Sequence, residues 1–172
     1  VNGVMMIIVP GSTSISLSME IGKILNLKVA RVIHKLFPDG ESYVRIIEEL
    51  KGEDVVIIQS TYPPQDKHLF ELFLLIDAAK RLRANNIHVV IPYLAYTRQD
   101  KVFLKGEALS IDVVLRILET LQIKSLITVN IHNEDVLRNR SFKAINLTAL
   151  SILSREILAM EKIGNVTLVA PD

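Results

Sequence analysis

The sequence predicts an α/β fold with a mostly parallel sheet flanked by helices. Three observations predict it. Short β-branched runs recur along the chain and stay apolar almost throughout, the pattern of strands covered on both faces. Amphipathic stretches at helical spacing lie between them, and that alternation is how parallel sheets are built. Polar clusters follow the apolar runs directly, so in a parallel sheet they emerge together along one edge.

The elements follow in order. "MMIIV" (residues 5–9) reads as the first strand, and "PGSTS" after it turns into a helix with Ser12 or Thr13 as the cap. "KVARVI" reads as the second strand. "FPDGESYVRI" breaks the rhythm, and its Asp39-Gly40 turn predicts a small hairpin beside the sheet. "DVVIIQS" is a strand, followed by the helix "DKHLFELFLLIDAAKRLRAN". There Leu69, Leu72, Phe73, Ile76 and Ala79 form one face, and Asp66 is the expected N-cap. "IHVVIPY" is the next strand, then the helix "SIDVVLRILETL" capped by Ser110, then the strands "SLITVN" and "VTLVA". A strand ending in "APD" leads into a loop where ligands are usually held, so the 172 residues read as the front part of a longer protein.

Composition narrows the function. Hydrophobic residues make up 49% of the chain, ample for a core. Twenty Lys and Arg stand against 19 Asp and Glu, a formal charge of +1, without the basic excess of a nucleic-acid binder. The absence of cysteine excludes disulfides, a thiol nucleophile and a cysteine zinc site, and fits a cytoplasmic location. No apolar run approaches the roughly 18 residues of a membrane span, and "VNGVMMIIVPG" reads as a strand rather than a signal peptide.

The chemistry belongs to the polar clusters. In "PYLAYTRQDK", Arg98 offers a planar fork for phosphate, Gln99 a partner for a base edge or ribose hydroxyl, and Tyr93 and Tyr96 flat faces for a nucleobase. On spacing alone the same stretch reads equally as a solvated loop capping the next helix. His132 in "NIHNED" is a candidate metal ligand or acid–base group, with Asp172 as a second carboxylate on the same edge; a lone histidine is more often neither. His34 is ambiguous. His68 falls on the polar side of its helix and His88 enters a strand, so both read as structural or exposed. "FPDGE" reads first as a tight turn with an unusual aromatic, Phe37, at its tip.

The stretches "FPDGESYVRI", "VVIIQST", "PYLAYTRQDK", "VNIHNED" and "VAPD", in this order, resemble the ribose-phosphate pyrophosphokinases, and "RQDKVFLKGE" resembles archaeal members. The resemblance implies two phosphoribosyltransferase-like α/β domains, the first over residues 1–147 and the second opening at 148–172. It implies transfer of the diphosphoryl group of Mg-ATP to the C1 hydroxyl of ribose 5-phosphate, giving phosphoribosyl pyrophosphate and AMP. Carried onto this chain, Arg98 and Gln99 contact ATP. Phe37, Asp39, Gly40 and Glu41 hold its adenine side from a neighbouring subunit, so the working unit is a homo-oligomer of at least two chains. His132 and Asp172 help to hold Mg²⁺. The family's catalytic loop and ribose 5-phosphate loop are expected beyond Asp172, so the 172 residues alone are expected to be inactive. Asn130 and Phe103 stand where many members carry Asp. The competing readings are a non-catalytic regulatory relative that assembles with active subunits, and a phosphoribosyltransferase.

Overall fold

The structure is a computed structural model and describes residues 5–160. Eight strands and four α-helices follow one another as β1 (Met6–Pro10), α1 (Ile15–Leu25), β2 (Lys28–Val29), β3 (Val32–Leu36), β4 (Ser42–Ile46), β5 (Asp54–Ile58), α2 (Gln65–Arg81), β6 (Ile87–Ile91), α3 (Ser110–Thr120), β7 (Ser125–Val129), β8 (Lys143–Leu147) and α4 (Leu150–Ala159). Six of the strands form one sheet in the order β2-β1-β5-β6-β7-β8, and every pairing in it is parallel. The expected α/β architecture is therefore present, with the chain wound outward in both directions from the β1–β5 pair.

Strand burial follows from this layering. Val9, Val55, Ile57, Val89, Ile91 and Leu126 are fully buried because helices cover the central strands. Leu72, Leu75, Ile76 and Ala79 of α2 and Leu115 and Leu118 of α3 complete the core. The hairpin β3–β4 is antiparallel, with His34 opposite Val44, and its Gly40 takes φ +94° in the turn, a backbone region that glycine enters without a Cβ penalty. The hairpin packs its β4 strand on α2.

Several elements differ from the sequence reading. "KVARVI" is two strands: β2 joins the sheet, and the chain breaks at Ala30–Arg31 before entering the hairpin. His34 accordingly lies in the middle of β3 rather than at a strand end. Strand β8, "KAINL", and the 3₁₀ turn Glu134–Leu137 are additional. The caps shift: Ser14, Pro64 and Leu109 hold the N-cap positions, without side-chain cap bonds. The expected caps are recruited elsewhere. Ser12 donates to Glu71, and Thr13 Oγ1 donates to Gln59 Oε1 and Ser60 O. Asp66 accepts from Tyr96, and Ser110 donates to Gln99. His68 is buried, not on a solvated face; its Nδ1 lies 2.6 Å from Tyr62 O. The strand candidate "VTLVA" lies outside the described residues.

Candidate functional site

The carboxyl ends of β1, β5, β6 and β7 point the same way, so the loops after them meet along one edge. A buried polar network fastens the first two loops. Gln59 is 0% exposed; its Oε1 accepts from Thr13 N (3.2 Å) and Thr13 Oγ1 (2.8 Å), and its Nε2 donates to His68 O and Glu71 Oε2 (3.3 Å each). Glu71 is only 3% exposed and also takes the Ser12 hydroxyl and, at 3.7 Å, the Lys67 ammonium. Gly11 makes the approach possible: a Cβ there would lie 2.1 Å from Gln59 Oε1. Two hydrogen bonds through Thr61 Oγ1, from Ala95 N and to Tyr93 O, then tie the β5 loop to the β6 loop at 2.8 Å each.

The β6 loop, residues 92–101, carries the aromatic and basic groups and is held by three further side-chain hydrogen bonds. The Tyr96 hydroxyl donates to Asp66 in the first turn of α2, and the Ser110 hydroxyl at the start of α3 donates to Gln99 Oε1. Asn133 Nδ2, beyond β7, donates to Asp100 Oδ2 at 2.7 Å. Tyr96 takes φ +67°, which turns the chain back so that its hydroxyl meets Asp66. That bond to the carboxylate, with some desolvation, holds the Tyr96 phenol above its usual value. The Asn133 bond holds the Asp100 carboxyl below the usual carboxylate range against a smaller opposing effect of burial; Lys101 and His132 add to the depression.

The β7 loop is tied to β8. Asn130 N donates to Leu147 O at 2.8 Å, and Asn130 Oδ1 accepts from Ala149 N at 2.9 Å. Ile131 N donates to Asn146 Oδ1 at 3.1 Å, and the Asn146 amide donates to Glu134. Asn130 sits in the left-handed region at φ +49°, a conformation that asparagine accepts more readily than most residues. The turn presents His132 as an exposed side chain.

Between the loops lies an open cleft of about 520 Å³, lined by Gln65, Tyr93, Tyr96, Thr97, Arg98, Gln99, Asn130 and His132. Its chemistry combines two phenol rings, one guanidinium, three amides and one imidazole. This suits a ligand with a flat polar ring and anionic groups. A second cleft of about 320 Å³ shares Arg98 and Gln99 and continues past Lys101, Phe103, Glu107 and Ala108. Phe103 is 77% exposed there.

Of the residues singled out in the sequence, Arg98, Gln99 and His132 therefore share one cleft, with Tyr93 and Tyr96 beside them. Phe37, Asp39, Gly40 and Glu41 do not line it. They form the exposed tip of the hairpin, closed by Phe37 N to Glu41 O (2.8 Å), Gly40 N to Phe37 O (2.9 Å) and Glu41 N to Asp39 Oδ1 (3.1 Å). Phe37 packs edge-on against Tyr43, with ring centres 5.6 Å apart, and Lys35 Nζ stands 4.9 Å from the Phe37 ring centre. Asp172 lies outside the described residues. Gln65, Thr97 and Asn130 also line the cleft; Thr97 lies inside "PYLAYTRQDK" and Asn130 inside "VNIHNED", whereas Gln65, at the start of α2, carried no signal of its own. Among the described residues no three His, Cys, Asp or Glu side chains gather as a metal cage.

The sequence profile described as the N-terminal domain of ribose phosphate pyrophosphokinase matches residues 6–121, which hold β1–β6 and α1–α3. A ribose-phosphate pyrophosphokinase of Sulfolobus acidocaldarius is 40% identical over 167 residues, covering 97% of this chain and 57% of the relative. That of Pyrococcus furiosus is 41% identical over 146 residues, covering 84% of this chain and 50% of the relative. The chain thus spans about half the length of the curated relatives it matches. The crystal structure of phosphoribosylpyrophosphate synthetase from Mycobacterium smegmatis superposes with a TM-score of 0.84 at 27% identity, over 89% of this chain and 51% of that one. With the profile running from the first strand through the third helix, the chain belongs to the ribose-phosphate pyrophosphokinase N-terminal domain family.

Proposed function

We propose that the full-length protein is a cytoplasmic ribose-phosphate diphosphokinase, moving the diphosphoryl group of Mg-ATP to the C1 hydroxyl of ribose 5-phosphate and releasing AMP. The observation that carries this reading is the shared cleft: Tyr93, Tyr96, Arg98 and Gln99 of the β6 loop meet His132 of the β7 loop on one edge, with the chemistry of a nucleotide site. The Arg98 guanidinium binds phosphate oxygens and holds the chain of phosphates in a fixed direction. Gln99 keeps its Nε2 for the ligand while Ser110 occupies Oε1, and the tyrosine rings support the base.

His132 and Asp172 are the residues that would hold Mg²⁺. One imidazole and one carboxylate are a sparse donor set, which suits a metal that takes most of its ligands from phosphate and water. Bound there, Mg²⁺ neutralises charge on the triphosphate.

The hairpin tip is proposed to serve the cleft of a neighbouring subunit, making the working unit at least a homodimer. In support, Phe37, Asp39, Gly40 and Glu41 line no part of their own chain's cleft. A boundary at residues 147/148 is proposed from α4, which begins at Leu150 and has no buried residue, leaving Leu150, Ile152, Leu153 and Leu158 exposed among the described residues.

The test is AMP formation by the full-length protein from Mg-ATP, with and without ribose 5-phosphate. AMP that appears only with the sugar phosphate supports diphosphoryl transfer. ATP binding without AMP refutes the activity and favours a regulatory relative; no ATP binding refutes the site.

A further inference from the structure

The β6 and β7 loops carry the two halves of the proposed site, yet their backbones make no hydrogen bond to each other among the described residues. One side-chain bond crosses between them, from Asn133 Nδ2 to Asp100 Oδ2 at 2.7 Å. Its position is economical. Asp100 follows Arg98 and Gln99 directly, and Asn133 follows His132 directly.

The geometry fixes this bond more firmly than a surface contact. Asn133 Oδ1 accepts from Asp135 N at 3.0 Å and caps the 3₁₀ turn Glu134–Leu137. A backbone N–H can only donate, so the carbonyl end of the amide must face Asp135 and the NH₂ end must face Asp100. An amide held at both ends has no rotamer freedom left to lose on binding. Asp100 is half-buried, and the Asn133 bond holds its carboxyl below the usual carboxylate range. A charge-assisted bond of this length is about twice as strong as a neutral one.

We infer that the Asn133–Asp100 pair is a positioning link that sets the Arg98–Gln99 grip in register with His132, so that nucleotide and metal bind cooperatively. This rests on the proposed reading of the cleft as a Mg-ATP site. Neither residue lines that cleft; both act through the neighbour in sequence. Cooperativity of this kind is a coupling free energy between two ligands; an unlinked pair of loops still binds each ligand but lowers the coupling.

The experiment measures the Kd of ATP on the full-length protein with Mg²⁺ and with EDTA, in parent and variants, with folding checked by circular dichroism. Asn133→Ser keeps a capping hydroxyl for Asp135 N but is too short to reach Asp100. It is expected to leave the metal-free Kd unchanged and to lower the Mg²⁺ enhancement by about tenfold. The exchange variant Asp100→Asn with Asn133→Asp keeps the net charge, reverses donor and acceptor across the same gap, and is expected to restore most of the enhancement. An Asn133→Ser protein with the parent's enhancement, or an exchange variant no better than it, overturns the link. A parent protein that binds no ATP, or whose ATP affinity ignores Mg²⁺, overturns the reading of the cleft and the link with it.

Discussion

Replacing Gln59 with leucine tests what holds the loop edge together. The side chain is fully buried and makes four hydrogen bonds. Leucine has nearly the same volume, so no large cavity opens and the effect isolates the polar groups. Thr13 Oγ1 can still donate to Ser60 O, and Glu71 keeps Ser12 and Lys67. Thr13 N has no other partner, and an orphaned buried donor costs about 1–3 kcal/mol. Losing one donor to the Glu71 carboxylate adds about 1.5–3 kcal/mol. Burying an apolar side chain offsets part of this, by about 1 kcal/mol for the extra methyl surface. The net expectation is a loss of about 2–4 kcal/mol, or a fall in Tm of about 5–15 °C for a chain of this size. Urea unfolding of the full-length protein, followed by circular dichroism, measures it. A loss below about 1 kcal/mol, on the scale of an ordinary surface substitution, would mean that the Gln59 bonds do not fasten the β1 and β5 loops.

His34 makes stability pH-dependent. Its Nε2 donates to Pro10 O, and its Nδ1 is buried without a partner. Burial therefore pushes its pKa below 6.5, outweighing the Pro10 bond and the Glu71 charge, which favour the proton. The unfolded chain takes up that proton first, so the contribution is complete above pH 6.5 and is lost as pH falls through the folded value. Urea unfolding between pH 7.5 and 5 is expected to show this loss, and His34→Gln, which still donates to Pro10 O, to flatten that slope. Leu72→Ala, at a fully buried position of α2, is expected to cost about 2–5 kcal/mol in the same assay. Phe37→Ala removes an exposed ring from the hairpin tip. It is expected to leave the Tm within a few degrees while raising the Kd of ATP on the full-length protein several-fold, because the proposed contact is to a neighbouring subunit.

Central strands were legible because a strand covered on both faces is apolar at nearly every position, as in "DVVII" and "IHVVI". Strand β8 was not. It is an edge strand with no fully buried residue, and "KAINL" carries a lysine and an asparagine. The polar residues of α2 misled for a related reason. A helix with one visible apolar face suggests solvent on the other, but the loops after β1 and β5 reach across it, and His68 is buried against Tyr62 and Glu71 against Ser12 and Gln59. Helix starts were placed by their hydroxyls and carboxylates, and these groups had long-range partners that no local pattern contains: Asp66 with Tyr96, Ser110 with Gln99, Ser12 with Glu71. The cleft residues Arg98, Gln99 and His132 were legible because a parallel sheet brings every post-strand cluster to one edge. How those loops are fixed to one another was not, because it depends on side-chain reach across the fold.

Strand β8 carries one consequence for heating. Among the described residues it pairs on one side only, with β7, and its far end accepts the bonds from Asn130 N and Ile131 N that hold the turn bearing His132. Edge strands open before the centre of a sheet. As the temperature rises, β8 is expected to fray while β1, β5 and β6 stay paired, releasing the turn that holds His132 while most of the secondary structure survives. On the proposed reading of the cleft, loss of nucleotide binding then precedes denaturation, and the heat resistance of the site is set by an outer strand rather than by the core.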